Sequence, residues 1–261
     1  MLHGLAIQVL HYHGLYRNRA ELVGKPAMEY LSEIDFARQV RWLKEAGYAL
    51  LSLSDCRARV EQGGLPEKTT CLTFDDGKRS DLFLAAPILK AEGARATFFV
   101  VPGWFGNPNI LVRSEVQELA KYGMEIGSHS MSHSFLTELG PKELEREVLG
   151  SKHYLEDLLG QRVEGFCYPH GDADRTVREA VKKAGYRIGC LARRGPNTGP
   201  VDWLALKRWG IPENTSPEAL VKILARTSPS LGESAADLLR RAVGMRRYVR
   251  WRDRWVRRVP E

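Results

Sequence analysis

The chain has 261 residues, 43% hydrophobic and 27% charged, an ordinary globular composition long enough to bury a large core. It contains no run of about 18 apolar residues that would span a membrane. Its N-terminus lacks a basic start, an apolar stretch and a small-residue cleavage site, so the expected location is the cytoplasm. The formal charge of +7 lies wholly in the tail, where residues 240–261 hold nine Arg, one Asp and one Glu while the rest of the chain balances.

The first predicted element is a mostly buried strand, Leu5 to Tyr12. Ser32 is placed to cap an amphipathic helix running to about Ala46, with Gly47 as its stop. A strand over 48–53 and a short helix from Ser54-Asp55 follow, then a strand over Thr69 to Phe74. Residues 80–92 read as helical, with Pro87 forcing a kink or a later start. Residues 96–101 (ATFFVV) are strongly β-type. Helices are expected over 114–122, 141–159 and 174–184, interleaved with strands over 124–127, 163–168 and 186–191. A last strand, Trp203 to Ile211, leads to a helix capped at Ser216.

Strand and helix thus alternate about seven times at spacings that suit βαβ units, which argues for an α/β fold with a parallel sheet. The polar motifs fall at C-terminal strand ends, where the active sites of closed barrels gather. The expected organisation is one barrel over 1–230 and a basic amphipathic extension over 231–261. No G-x-G-x-x-G or P-loop supports nucleotide binding. Cys56, Cys71, Cys167 and Cys190 form no C-x-x-C pair, so they read as isolated buried thiols.

Two segments carry chemistry. Thr73-Phe74-Asp75-Asp76-Gly77 ends a strand with adjacent carboxylates that point to opposite sides. One carboxylate is free to ligate a metal while the other accepts a proton. Ser128-His129-Ser130-Met131-Ser132-His133 presents two imidazoles four residues apart among hydroxyls. One carboxylate and two His suit zinc or another borderline divalent ion. Either motif alone is commonplace, as a turn Asp pair or a structural His pair. The combination gives each more weight.

TFDDG, SHSMSH about fifty residues later, and Phe166-Cys167-Tyr168-Pro169-His170-Gly171 together resemble the polysaccharide deacetylase family (NodB homology, carbohydrate esterase family 4) over residues 5–212. The resemblance implies a distorted (β/α)7 TIM-like barrel and a metal-dependent hydrolysis of an N-acetyl group on an amino-sugar glycan. It makes Asp75 the general base and Asp76, His129 and His133 the ligands of a divalent metal, zinc first, with cobalt, nickel or manganese as alternatives. It gives the backbone N–H of His170 to the oxyanion, in a turn shaped by Pro169 and Gly171 beside Tyr168.

Two departures stand out. The family's third motif usually opens with an Arg that steadies the base, and here that place holds Cys167; Arg208 is the expected substitute. The late His that many members use as general acid is absent, since no His follows His170. Leu10-His11-Tyr12-His13-Gly14 resembles the Tyr-His opening of the exopolysaccharide branch, which implies His13 as the acid, with His11 as the alternative. Trp209, with Trp104 and Trp203, lies in or near a strand-end loop, where each would either stack on sugar or pack in the core. A small non-sugar amide or a formylated sugar would suit the same site, and a catalytically inactive glycan-binding module is the contrasting reading.

In the tail, Tyr248, Trp251, Trp255 and Val259 form one apolar stripe among many Arg. The pattern suits either an anionic membrane surface, placing the protein peripherally at the inner face of the membrane, or packing on the barrel. Nucleic acid is not the expected partner, because only the tail is basic.

Overall fold

The computed structural model describes residues 6–213, 215–226, 228, 243–244, 246–249 and 251. Trp255 and Val259 of the tail's stripe therefore lie outside the described residues. Among those described, no helix is long and apolar enough to cross a membrane.

The chain opens with β1 (Gln8–Tyr12), then a two-stranded parallel ribbon of β2 (Gly14–Tyr16) and β3 (Tyr30–Ser32). Sequence patterning did not announce this ribbon. Gly14 is what allows it, because a Cβ there would lie 2.5 Å from the Tyr30 ring. Next come α1 (Glu33–Glu45), β4 (Ala49–Leu51) and α2 (Leu53–Glu61). β5 (Thr69–Phe74) has the predicted bounds. A π turn over Asp81–Ala85 runs without a break into α3 (Ala86–Ala91), with Pro87 at the second residue after the π turn.

β6 (Thr97–Val100), α4 (Arg113–Lys121) and β7 (Glu125–Ser128) continue the alternation. The helix predicted over 141–159 is interrupted by a second π turn, Arg146–Gly150, between α5 (Pro141–Glu145) and α6 (Ser151–Leu159). β8 (Gly165–Cys167), α7 (Arg175–Lys183), β9 (Ile188–Cys190), β10 (Trp209–Gly210) and α8 (Pro217–Leu224) complete the described elements. Side chains of Ser32, Ser52, Asp174 and Ser216 cap α1, α2, α7 and α8 by accepting N–H bonds from the first turn.

The strands run in the order β10-β1-β5-β6-β7-β8-β9, all parallel, with β4 on the flank of β5. Leu206 bridges Cys190 of β9 while Trp209 pairs with Leu10 of β1. One short segment thus meets both edges of the curled sheet and closes the distorted (β/α)7 barrel. The predicted strand 203–211 shrinks to these two contacts because its residues divide between two partners.

Side chains alternate strictly between two layers. Val9, Cys71, Phe99, Cys167, Cys190 and Leu206 fill the barrel interior. Leu10, Leu72, Phe98 and Phe166 face the helices. The outer layer includes a stack of Tyr12, Phe74 and Phe98, with ring centroids 5.2 and 4.7 Å apart. The four cysteines are all free and buried, as their spacing implied.

Candidate active site

The inward parity of the strands, continued to their C-terminal ends, gathers His11, His13, Asp75, His129 and Arg208 at one mouth of the barrel. These residues line a cleft of about 830 Å³ together with Asp76, His133 and Trp104. Asp76 follows an inward residue and would point away on a continued strand. It reaches the cleft because the backbone turns there with φ of 81° at Asp76 and 68° at Gly77.

Asp75 is 3% exposed and held from several sides. Arg208 donates Nη1–H to Oδ1 at 2.8 Å and Nη2–H to Oδ2 at 2.7 Å, a bidentate pair. His11 Nε2 lies 2.9 Å from Oδ2, and the Cys167 thiol lies 3.3 Å from the same oxygen. Burial would raise the carboxyl's pKa, but Arg208 and then His11 outweigh it, leaving Asp75 well below the usual carboxylate range. The place that Cys167 leaves without a guanidinium is thus filled from another strand.

Asp76 divides its oxygens. Lys78 Nζ binds Oδ2 at 3.0 Å, while Oδ1 faces His129 Nε2 at 3.8 Å and His133 Nε2 at 3.9 Å. Burial again opposes ionisation, and Lys78 with His13 and His133 overcomes it, so Asp76 is also held low. Lys78 went unnoticed in the sequence, although its place two residues after Asp76 was the available signal. His129 Nδ1 lies 2.8 Å from the carbonyl oxygen of Cys167, so with Nδ1–H as donor its Nε2 lone pair points to the centre. Burial, and then the neighbouring His129, pushes His133 down to about 3.

The donor atoms of Asp76, His129 and His133 lie within 4.8 Å of one another. Two imidazoles and one ionised carboxylate, with Asp76 and His129 each oriented by a bond on the far side, are the donor set of a divalent metal site. The residues fit the ion that the sequence implied.

The remaining predicted residues divide. The His13 ring sits 4.4 Å from the His11 ring. Burial and then His11 lower the His13 pKa well below the ordinary value. His170 has φ of 58° and stacks on Phe135 at 4.1 Å. Gly171 is required at its position, with φ of 72° and a would-be Cβ 2.7 Å from Ala192. Tyr168 is buried, its hydroxyl donating to Leu204 O at 3.0 Å.

Trp209 does not reach the cleft. It is 2% exposed and donates Nε1–H to Gln8 Oε1 at 2.7 Å. The reason is alternation: Arg208 faces inward, so its neighbour faces the helices. Trp203 is also outside the cleft, packed with Arg57 at 5.5 Å. Trp104 alone of the three stands at the site, its ring 4.9 Å from His133. Tyr30 of β3 and Glu29 just before it, with Arg194 and Glu213, build cleft walls that no periodicity had marked.

Residues 62–189 match the polysaccharide deacetylase family. The chain carries a polysaccharide deacetylase domain. YxkH of Bacillus subtilis (strain 168), provisionally named a polysaccharide deacetylase, is 28% identical over 203 residues, 77% of this chain and 70% of YxkH. The poly-beta-1,6-N-acetyl-D-glucosamine N-deacetylase of Staphylococcus aureus (strain MRSA252) is 25% identical over 61% of this chain and 60% of its own length. Among solved structures, the Streptococcus pyogenes deacetylase PplD in complex with acetate superposes with a TM-score of 0.79 at 28% identity, covering 85% of this chain and 99% of PplD.

Proposed function

We propose that this chain is a metal-dependent N-deacetylase of an N-acetylated amino-sugar glycan, releasing acetate and a free amine. The observation that carries the reading is the juxtaposition of the Asp76-His129-His133 donor set with an Arg208-bound Asp75, whose Oδ2 lies 3.8 Å from His129 Nε2. A borderline divalent ion suits those donors, zinc first and cobalt, nickel or manganese next. Bound there, it would supply Lewis acidity and a more acidic water.

Asp75 is the acceptor for the proton of the attacking water. Its low pKa keeps it ionised at any working pH, at the expense of basicity. Arg208 fixes the plane of the carboxylate. The His170 N–H is assigned to the developing oxyanion, in a turn where Pro169 has no N–H and the Tyr168 N–H bonds Cys190 O at 3.0 Å. His13 delivers the proton to the leaving nitrogen. Burial disfavours the charged form of His13, so the proton that it delivers is the one Asp75 takes from the water, which leaves Asp75 ionised again.

The named activities of the staphylococcal relatives support a polymer of N-acetylglucosamine as the substrate class, and a cleft of about 830 Å³ accommodates a segment of such a chain. A formylated sugar or a small amide is the competing substrate at the same site. The test is acetate release from β-1,6-linked N-acetylglucosamine oligomers, with added zinc and with chelator. Zinc-dependent release supports the assignment. Absence of release from any glycan, with metal bound, would transfer it to the competing class.

A further inference from the structure

The segment between the two imidazoles is neither helix nor strand. Ser130 and His133 both take the left-handed backbone conformation, each with φ of 62°. Each such residue is strained and persists only where its surroundings impose the conformation. What imposes it here comes from a different part of the chain, the π turn between α5 and α6.

Glu147 lies in that turn and is 3% exposed. Its Oε2 accepts the Ser132 N–H at 2.8 Å, and its Oε1 accepts the Ser132 hydroxyl at 2.7 Å. Its backbone oxygen accepts the Met131 N–H at 3.1 Å. That oxygen is available because the helix is wound as a π turn. The Ser151 N–H, which an α-helix would direct to Glu147 O, bonds Val148 O instead. Two consecutive loop amides are thus fixed by one residue, its main chain holding the first and its side chain the second. Beside them, the His133 N–H bonds Ser130 Oγ at 3.0 Å, and the His129 N–H bonds Val100 O at 2.8 Å.

We infer that Glu147 is a positioning residue of the metal centre: through Met131 and Ser132 it holds the loop in the strained form that brings His133 Nε2 to Asp76 and His129. A carboxylate suits the task because it offers two acceptors and no donor to a site with two donors. This inference rests on the proposed metal centre.

The experiment is a zinc titration of the full chain against a competing chromophoric chelator, for wild type, Glu147→Ala, Glu147→Gln and Ser132→Ala. Thermal unfolding and the visible spectrum of the cobalt-loaded forms accompany it. Loss of a residue that orients metal ligands typically weakens affinity 10–100-fold, which is the expectation for Glu147→Ala, with an altered cobalt spectrum. Glu147→Gln, which retains one acceptor, is expected within about tenfold of wild type by the same scale.

Ser132 is exposed, so Ser132→Ala keeps the test open if Glu147→Ala does not fold. It is expected to weaken zinc binding less than Glu147→Ala does. Wild-type affinity and spectrum in a folded Glu147→Ala, or in Ser132→Ala where Glu147→Ala fails to fold, overturns the inference while leaving the metal centre standing. A wild type that binds no zinc overturns the metal centre and this inference with it.

Discussion

Asp75 serves two demands that pull apart. Arg208, His11 and Cys167 fix its geometry, and the same contacts depress its pKa and weaken it as a base. In the proposed reaction Asp75 can deprotonate the water only if that water has been made acidic, which ties its proposed role to the adjacent donor set. Asp75→Asn is therefore expected to lower kcat by about 10²–10⁴-fold, the usual worth of a general base, while zinc stoichiometry is unchanged. Acetate release and metal analysis on the same sample decide it, and near-wild-type turnover would remove Asp75 from the role. Arg208 is 2% exposed and paired, so Arg208→Met leaves a buried carboxylate without its cation. The expected loss is about 3–5 kcal/mol in urea unfolding. At this scale the sequence was legible where chemistry concentrates, in TFDDG and SHSMSH. It misled at Trp209, where a strand-end aromatic was read for its chemistry and not its parity. Once Arg208 is drawn to Asp75, period-two alternation sends Trp209 to the opposite face, against Gln8.

Elements followed local rules closely where the cause was local. β5 kept its bounds because an uninterrupted β-favouring run ends at Asp75-Asp76-Gly77, and Ser32 and Ser216 cap the helices they were expected to cap. The misses have non-local causes. The β2–β3 ribbon depends on Gly14 meeting the Tyr30 ring, a contact no window of sequence contains. The π turn at 146–150 breaks a helix whose apolar spacing is regular, and its reason is the loop it holds. Strand spacing likewise rests on small residues opposite large ones. Gly127 of β7 lies beneath Phe99 of β6, and an added Cβ would stand 2.5 Å from the ring and 3.1 Å from Gly165 O. The ring is packed inside the barrel and cannot swing away. Gly127→Ala is expected to cost about 1–3 kcal/mol, the usual penalty of overpacking, and to perturb His129 two residues on. Urea unfolding measures the first effect, and zinc affinity the second.

At the scale of the whole molecule, the cleft stores charge and desolvation that folding must tolerate before any metal arrives. His133 sits at about 3 when folded, against an ordinary value near 6.5, because burial and His129 disfavour its protonation. A folded pKa below the unfolded one means that the unfolded chain binds the extra proton. The stability this gives is fully present above pH 6.5 and is lost as pH falls toward 3. Between pH 6.5 and 5 the loss from His133 is about 2 kcal/mol, at 1.36 kcal/mol per pH unit. Asp75 and Asp76, both depressed, act with the same sign lower down, their contribution present above about pH 4 and lost below it. Zinc works against this loss, since an ion bound only by the folded chain at a hundred times its Kd adds about 2.7 kcal/mol. Urea unfolding in chelator at pH 7 and pH 5, repeated at pH 7 with saturating zinc, measures both quantities. A lower midpoint at pH 5 and a higher one with zinc is the expected pair. Equal midpoints in chelator at the two pH values would show that His133 is not held neutral by burial, and would require a different cleft from the one described.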